Sequence, residues 1–240
     1  MVMSWRNRNN KNNNMNLIEM FNKQILLDKT PLWKDHLIPF YPIDKNYFKI
    51  NNNKYDIGSL KNDLLKLETN SWINKDGKTD EWTSITLKSY DGCDQSFIKN
   101  TEFGRGNNNK YQYTPYIENC NYFRKLLDEI PSDVYLVRIL KLKKNGRIKF
   151  HTDEDVFKDR TIIRIHLPII TNPNVKFQIG YPVQKPAPGY NIWNAQILHE
   201  KYLEPGYLWF TNVNTLHGVE NKGTTDRYHM VIDIRNPFLK

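Results

Sequence analysis

The chain has 240 residues and a net charge of +9, from 35 basic and 26 acidic side chains. With 39% hydrophobic and 13% aromatic residues it is too apolar for a wholly disordered chain, and its length suits one domain. No stretch approaches the roughly 20 apolar residues of a membrane-spanning helix. The two cysteines, Cys93 and Cys120, exclude a disulfide scaffold and a Cys-rich zinc module. We expect both thiols to be buried in a reducing compartment.

The positive charge raises nucleic acid as a partner. However, Lys and Arg are spread from Arg6 to Lys240 among acidic residues, with no run of five. This distribution favours a solvated surface, so a nucleic-acid partner is not expected, and the lack of a long apolar stretch argues against a membrane partner. Residues 1–16 are basic but lack an apolar core, so we expect no secretory signal and a cytoplasmic location.

The N-terminal part divides into two regions. We predict that residues 1–44 form a polar, Asn-rich extension. Within it, the spacing of apolar residues over 17–27 suits a short helix. One domain is predicted over 45–240, and it begins with a largely helical front over 54–131.

Two helices are predicted within that front. Leucines recur near one face of residues 59–72, with Ser59 as the candidate N-cap, and 117–130 form the second helix. Between the helices, the alternation of 81–89 suits a strand. The Gly- and Asn-rich segment 93–116 predicts a long loop.

From residue 134 onward the pattern changes to short alternating segments separated by turn residues. Such spacing favours an antiparallel sandwich or barrel, so the fold class is mainly β with flanking helices. The predicted strands of this β-core, which spans 134–235, are 134–142, 147–153, 160–170, 175–180, 197–206, 207–212 and 227–235.

Five of the six histidines lie in this β-core. His151 and Asp153 stand two residues apart where a strand ends, so their side chains share a face. With His217 from a distant strand they would complete a facial triad of two imidazoles and one carboxylate. Such a triad holds Fe(II) and leaves coordination positions open.

Arg227 opens the last predicted strand, ten residues after His217. A buried Arg beside a metal site must have an anionic partner, because an unpaired buried charge is costly. A ligand dicarboxylate would meet the guanidinium with two hydrogen bonds. The alternative is an Arg paired with Asp226 or Asp233 at the surface.

The ordered set of motifs resembles the aspartyl/asparaginyl β-hydroxylase family, which includes related proline hydroxylases. The resemblance spans about residues 45–237 and is strongest over 134–235. The motifs are His151-Thr-Asp153, Arg164-Ile-His166-Leu-Pro168, Thr171-Asn-Pro173, Leu203-Glu-Pro-Gly206, Trp209, His217-Gly-Val-Glu-Asn221 and Arg227-Tyr-His229-Met-Val-Ile-Asp233, with a weaker match at Trp82-Thr-Ser-Ile-Thr-Leu87.

The resemblance implies a double-stranded β-helix, a jelly-roll of the cupin kind, with Fe(II), the co-substrate 2-oxoglutarate and O2. The implied catalytic iron ligands are His151, Asp153 and His217. Arg227 would hold the distal carboxylate of 2-oxoglutarate. Arg164 and His166 match a family pair near the co-substrate or the prime substrate; alternatively, they form a satisfied polar pair inside the β-core. His229 matches the strand pattern and is expected to be structural.

The implied reaction is hydroxylation of an unactivated C–H bond, with succinate and CO2 as co-products. The substrate is a small-molecule amino acid, or an Asp, Asn or Pro residue in a peptide or protein. Arg164 or Arg105 would supply the counter-charge for an amino-acid carboxylate, and the 93–116 loop is a candidate lid.

Two other functions compete with this hypothesis. A non-enzymatic cupin-like module for nucleic acid or a small ligand would show no metal dependence and, for nucleic acid, a steep salt dependence. A zinc hydrolase built on the same ligands would need a general base such as Glu154 and would leave Arg227 without a role. The oligomeric state stays open.

Overall fold

The computed structural model describes most of the predicted domain. The described residues are 47–51, 53–70, 72, 81–93, 110–153, 162–184 and 194–236. The predicted helix at 17–27, most of the 93–116 loop with Arg105, and Glu154 lie outside them. Within the described residues, no helix is long and apolar enough to cross a membrane.

The described chain is mostly β-structure with two α-helices. The first six strands are β1 (Tyr47–Lys49), β2 (Trp82–Tyr90), β3 (Tyr111–Tyr113), β4 (Val134–Leu142), β5 (Arg147–His151) and β6 (Ile162–Ile170). The remaining strands are β7 (Val175–Gln184), β8 (Asn194–Lys201), β9 (Trp209–Thr211), β10 (His217–Asn221) and β11 (Arg227–Arg235). The helices are α1 (Ile57–Leu67) and α2 (Asn121–Asp128), and a short 3-10 helix (Pro115–Ile117) precedes α2.

The strands form two antiparallel sheets. One has seven strands in the order β1-β9-β6-β11-β4-β2-β3, and the other has four in the order β5-β10-β7-β8. From β4 to β11 the chain passes repeatedly from one sheet to the other. This is the jelly-roll arrangement of a double-stranded β-helix, and it confirms the predicted fold class.

Strand β6 shows how the two faces of the large sheet differ. Because strand side chains alternate, Ile163, Ile165 and Leu167 pack into a core shared with α1 and α2. Arg164 and His166 point to the opposite face and line a cavity.

A second apolar cluster holds side chains from both sheets. Its members include Leu142, Ile162 and Trp209 of the large sheet and Phe177, Ile179 and Val219 of the small one.

The starts of both helices differ from the sequence prediction. Ser59 is not the N-cap of α1. That position is held by Asp56, whose Oδ1 accepts a hydrogen bond of 2.6 Å from the Ser59 amide. Helix α2 begins at Asn121 instead of 117, because the chain first makes the 3-10 turn. The amides of Tyr122 and Phe123 then donate to Asp63 of α1.

Seven strands were predicted over 134–235, whereas the structure has eight there, β4 to β11, and several boundaries differ. The segments 134–142 and 227–235 coincide with β4 and β11. The 207–212 segment shortens to β9, and β10 was not predicted as a strand. The prediction of two buried thiols is wrong for Cys93, which is exposed, whereas Cys120 is buried.

Candidate active site

The register of β5 against β10 brings the three predicted metal ligands together. His151 ends β5 and lies opposite His217, the first residue of β10. Asp153 follows two residues later, and its amide donates to the Val213 carbonyl. The Asp153 carboxylate oxygens lie 3.8 Å from His151 Nε2 and 3.9 Å from His217 Nε2. One ligand atom from each of the three residues lies within 4.8 Å of the others.

Backbone contacts orient both imidazoles. His151 Nδ1 lies 2.7 Å from the Lys149 carbonyl, and His217 Nδ1 lies 3.0 Å from the Thr215 carbonyl. A carbonyl accepts, so each Nδ1 carries a proton, and the neutral form of each ring then has its lone pair on Nε2. Burial, together with the nearby His151 ring, lowers the pKa of His217 to about 3, so this ring is neutral as a metal ligand requires.

These ligand atoms fit a divalent first-row ion. Two ligands about 2.1 Å from one ion lie about 3.0 Å apart when they occupy adjacent positions, so the carboxylate distances of 3.8 and 3.9 Å are within about 1 Å of those that a bound ion would impose. Two neutral imidazoles and one carboxylate on one side of a cavity are the ligand set of a facial triad. His151, Asp153 and His217 are therefore the residues that could hold a metal here.

A buried ion-pair chain supports the carboxylate of this set. Arg164 Nη1 donates to Asp153 Oδ2 at 2.5 Å. The same guanidinium donates to both carboxylate oxygens of Asp233, at 2.6 and 2.9 Å. Arg164 and His166 thus share a face of β6 but bind different side chains. Arg164 contacts the carboxylate of Asp153, one of the three candidate metal ligands.

Arg227 is buried, with 3% of its surface exposed, and burial lowers its pKa to about 9. Neither alternative partner pairs with it. Asp233 holds Arg164, and Asp226 accepts from the Lys144 amide. Across the described residues, no carboxylate forms an ion pair with Arg227. Its Nη2 instead contacts His229 Nδ1 at 2.6 Å.

His229 continues this contact to a second imidazole. Its Nε2 lies 2.7 Å from His166 Nδ1, deep in the sheet. The other nitrogen of His166, Nε2, is buried and has no hydrogen-bond partner in the described part of the chain. His229 is therefore one of the cavity-lining side chains.

One charged residue of the cavity, Arg138, belongs to none of the sequence motifs. Arg138 of β4 is buried in the cavity wall, and burial followed by the nearby Arg164 lowers its pKa to about 9. The available signal was a lone Arg inside the apolar run Val134–Leu142. The cavity brings together the metal cluster, the guanidiniums of Arg138, Arg164 and Arg227, and the rings of His166 and His229.

This fold and this site define a cupin-like protein whose cavity brings together two histidines and one carboxylate that could hold a metal ion. The chain belongs to the aspartyl/asparaginyl β-hydroxylase family, whose sequence model matches residues 45–237. Membership of this family supports a hydroxylase of the 2-oxoglutarate-dependent oxygenase type. Comparison with curated protein sequences gives no match.

Solved structures of similar fold include an oxidoreductase of the 2OG-Fe(II) oxygenase family from Burkholderia pseudomallei. It is 11% identical, with 80% of this chain and 84% of that one covered and a TM-score of 0.45. HygX from Streptomyces hygroscopicus, solved with nickel, 2-oxoglutarate and hygromycin B, is 10% identical, with 81% and 84% covered and a TM-score of 0.45. A cupin domain from Bordetella pertussis is 15% identical, with 42% and 80% covered and a TM-score of 0.27. The family assignment rests on the sequence match and not on these structures.

Proposed function

We propose that this protein is an Fe(II)- and 2-oxoglutarate-dependent dioxygenase acting in the cytoplasm, where iron is kept reduced. It hydroxylates an unactivated C–H bond of an amino acid, or of an Asp, Asn or Pro residue in a peptide, and releases succinate and CO2. The observation that carries the proposal is a buried Arg227, with no carboxylate of the described chain beside it, in the same cavity as the His151, Asp153 and His217 cluster.

Each side chain has a defined task in this proposal. His151, Asp153 and His217 hold the ferrous ion through two Nε2 atoms and one carboxylate. The bound metal and 2-oxo acid supply the activation of O2 and the oxidising power that amino-acid side chains lack. Arg227 pairs with the distal carboxylate of 2-oxoglutarate, which relieves the cost of burying the guanidinium.

The remaining polar groups orient these parts. Arg164, held by Asp233, keeps the Asp153 carboxylate turned towards the two imidazoles. His166 faces the co-substrate with its unpartnered Nε2. The apolar side chains of Leu140, Phe177 and Val231 line the same cavity and limit its contact with water.

The first test measures succinate formation from 2-oxoglutarate with Fe(II) under air. We expect turnover in the wild type and background rates for His151→Ala, Asp153→Ala and His217→Ala. Wild-type rates in these variants would refute the metal assignment. A hydrolase on the same ligands would instead turn over with Zn²⁺ and without 2-oxoglutarate.

A second test separates Arg227 from the other charges. Arg227→Gln should raise the KM for 2-oxoglutarate by roughly 100-fold, since two hydrogen bonds to a charged group are lost. The matched control is Arg235→Gln, which changes an exposed Arg at the other end of the same strand. An unchanged KM in Arg227→Gln would contradict the assignment.

A third experiment would identify the substrate. Mass spectrometry would search for a product heavier by one oxygen across amino acids and peptides.

A further inference from the structure

Three buried side chains form a continuous hydrogen-bonded chain in the cavity wall. Arg227 Nη2 meets His229 Nδ1 at 2.6 Å, and His229 Nε2 meets His166 Nδ1 at 2.7 Å. Arg227 and His229 lie on β11, and His166 lies on the adjacent strand β6. The Phe177 ring contacts both His166 and the candidate metal ligand His217. The His166 end of this hydrogen-bonded series therefore lies beside the candidate metal site.

The chemistry of the guanidinium fixes the direction of every bond in this chain. A guanidinium has donors and no acceptor, so His229 Nδ1 must accept and carries no proton. A neutral imidazole then has its proton on Nε2, and His229 donates to His166 Nδ1. His166 Nδ1 accepts in turn, so the His166 proton lies on Nε2.

The opposite direction is excluded by geometry. If His166 donated from Nδ1, His229 would have to accept at Nε2 and carry its proton on Nδ1. That proton would face an Arg227 N–H at 2.6 Å, with two donors and no acceptor between them. Doubly protonated rings are disfavoured as well, because burial lowers the pKa of His166 and of His229 well below the usual range.

We infer that His229 is a positioning residue that fixes His166 as a hydrogen-bond donor, through Nε2–H, towards an anionic oxygen of the bound ligand. The second observation is the His166 Nε2 atom itself, which is buried and lacks a hydrogen-bond partner in the described residues. A buried donor of this kind needs an acceptor, and a ligand carboxylate supplies one. The identity of that carboxylate as part of 2-oxoglutarate rests on the proposed function; the direction of the chain does not.

The same logic divides the four histidines of the cavity into two kinds. His151 and His217 donate from Nδ1 to backbone carbonyls, so the nitrogen that each ring offers to a metal is Nε2. His166 and His229 accept at Nδ1 and carry their proton on Nε2. His229 donates this proton to His166, and His166 directs its own into the cavity. His166 therefore does not become an extra metal ligand although it lies in the same cavity.

The direct test is the tautomeric state of the rings, read from long-range ¹H–¹⁵N correlation spectra of the ¹⁵N-histidine-labelled protein. Spectra are recorded at pH 7 without metal and again with Zn²⁺, and signals are assigned with His166→Gln and His229→Gln. We expect Nε2–H on both His166 and His229. A proton on Nδ1 of His166, or a doubly protonated ring at either position, overturns the inference.

Variants of His229 then test its effect on the ligand. Gln keeps an acceptor and a donor at this position, whereas Leu of similar size keeps neither. In calorimetric titrations of the Zn²⁺-loaded protein with 2-oxoglutarate, we expect His229→Leu to weaken binding roughly tenfold, as for one lost hydrogen bond to an anion. His229→Gln should restore affinity to within about threefold of the wild type. His229→Leu should also give mixed tautomers at His166.

A matched control comes from the next residue, Met230, which points into the opposite core. Met230→Leu should leave both affinity and tautomers unchanged. If His229→Leu leaves the affinity and the His166 tautomer as in the wild type, the inference is wrong. Expected tautomers in a wild-type protein that does not bind 2-oxoglutarate would refute the proposed function and leave the donor direction intact. If His229→Leu does not fold, the wild-type spectra and the Gln variant still decide the question.

Discussion

Asp233 holds the Arg164 guanidinium by two parallel hydrogen bonds of 2.6 and 2.9 Å. The remaining arm of Arg164 reaches Asp153. Asp233 is fully buried, so neither charge of the pair is screened by water. The Arg164–Asp233 pair therefore links the stability of the large sheet to the orientation of the Asp153 carboxylate.

We expect Asp233→Asn to lower the free energy of unfolding by about 3–5 kcal/mol, because it breaks a buried ion pair from one side. Metal affinity should also fall by about 10- to 100-fold, since Arg164 no longer holds Asp153 in place. Urea unfolding and metal titration measure the two effects. The control is Asp133→Asn, which removes a surface partner of Arg235 and should change little. Full metal affinity in Asp233→Asn would contradict the positioning role.

The sequence was most informative where periodicity and chemistry agreed. β4 and β11 are nine-residue strands, and their predicted boundaries match the structure because both are long and apolar. His151 and Asp153 lie two residues apart at a strand end, so their common face follows from the alternation alone. His217 required a long-range pairing, and the motif resemblance supplied it.

Features that depend on distant contacts were missed. β10 has only five residues and exists as a strand because it pairs with β5 and β7. Asp56, and not Ser59, is the N-cap of α1. Asp and Ser are similarly favoured at N-caps, so local propensity does not distinguish the two positions. Alternation along β4 separates Arg138 from the neighbouring core residues Val137 and Ile139, but its place in the cavity depends on how the two sheets pack together.

Asp63 joins the two helices, and its loss should be costly. It is buried and accepts from the amides of Tyr122 and Phe123 at 2.7 and 2.9 Å, at the start of α2. Asp63→Ala leaves both amides without this acceptor, so we expect a loss of about 2–4 kcal/mol in urea unfolding. Glu129→Ala, which removes an exposed ion pair with Lys125, is the control and should stay close to wild type. A near-wild-type Asp63→Ala would show that the amides find other acceptors.

Metal binding should stabilise the fold measurably. A ligand that binds the native state alone, at 100 times its Kd, adds about 2.7 kcal/mol. For a chain of this size we expect Mn²⁺ to raise Tm by about 5–10 °C in a thermal melt, and EDTA to reverse the shift. His217→Ala should abolish the response, because it removes one of three ligands. His199→Ala, at an exposed position of β8, should keep it. An equal shift in both variants would place the metal elsewhere.

The metal-free protein should lose stability as the pH falls from 7.5 to 5.5. Burial lowers the pKa of His217 to about 3 and that of His166 and His229 well below 6.5. In this window the unfolded chain takes up protons at about pH 6.5, whereas the three native rings stay neutral. This stabilisation is therefore fully present above pH 6.5 and declines below it, by up to about 1.4 kcal/mol per pH unit for each histidine.

Urea unfolding at a series of pH values measures this slope. The range from pH 7.5 to 5.5 lies above the normal titration of carboxylates. Replacing both His166 and His229 with Gln should reduce the slope by about two thirds, as expected when two of three equivalent proton-linked sites are removed. A wild-type stability that is flat between pH 7.5 and 5.5 would mean that these rings titrate normally and are not held neutral by burial.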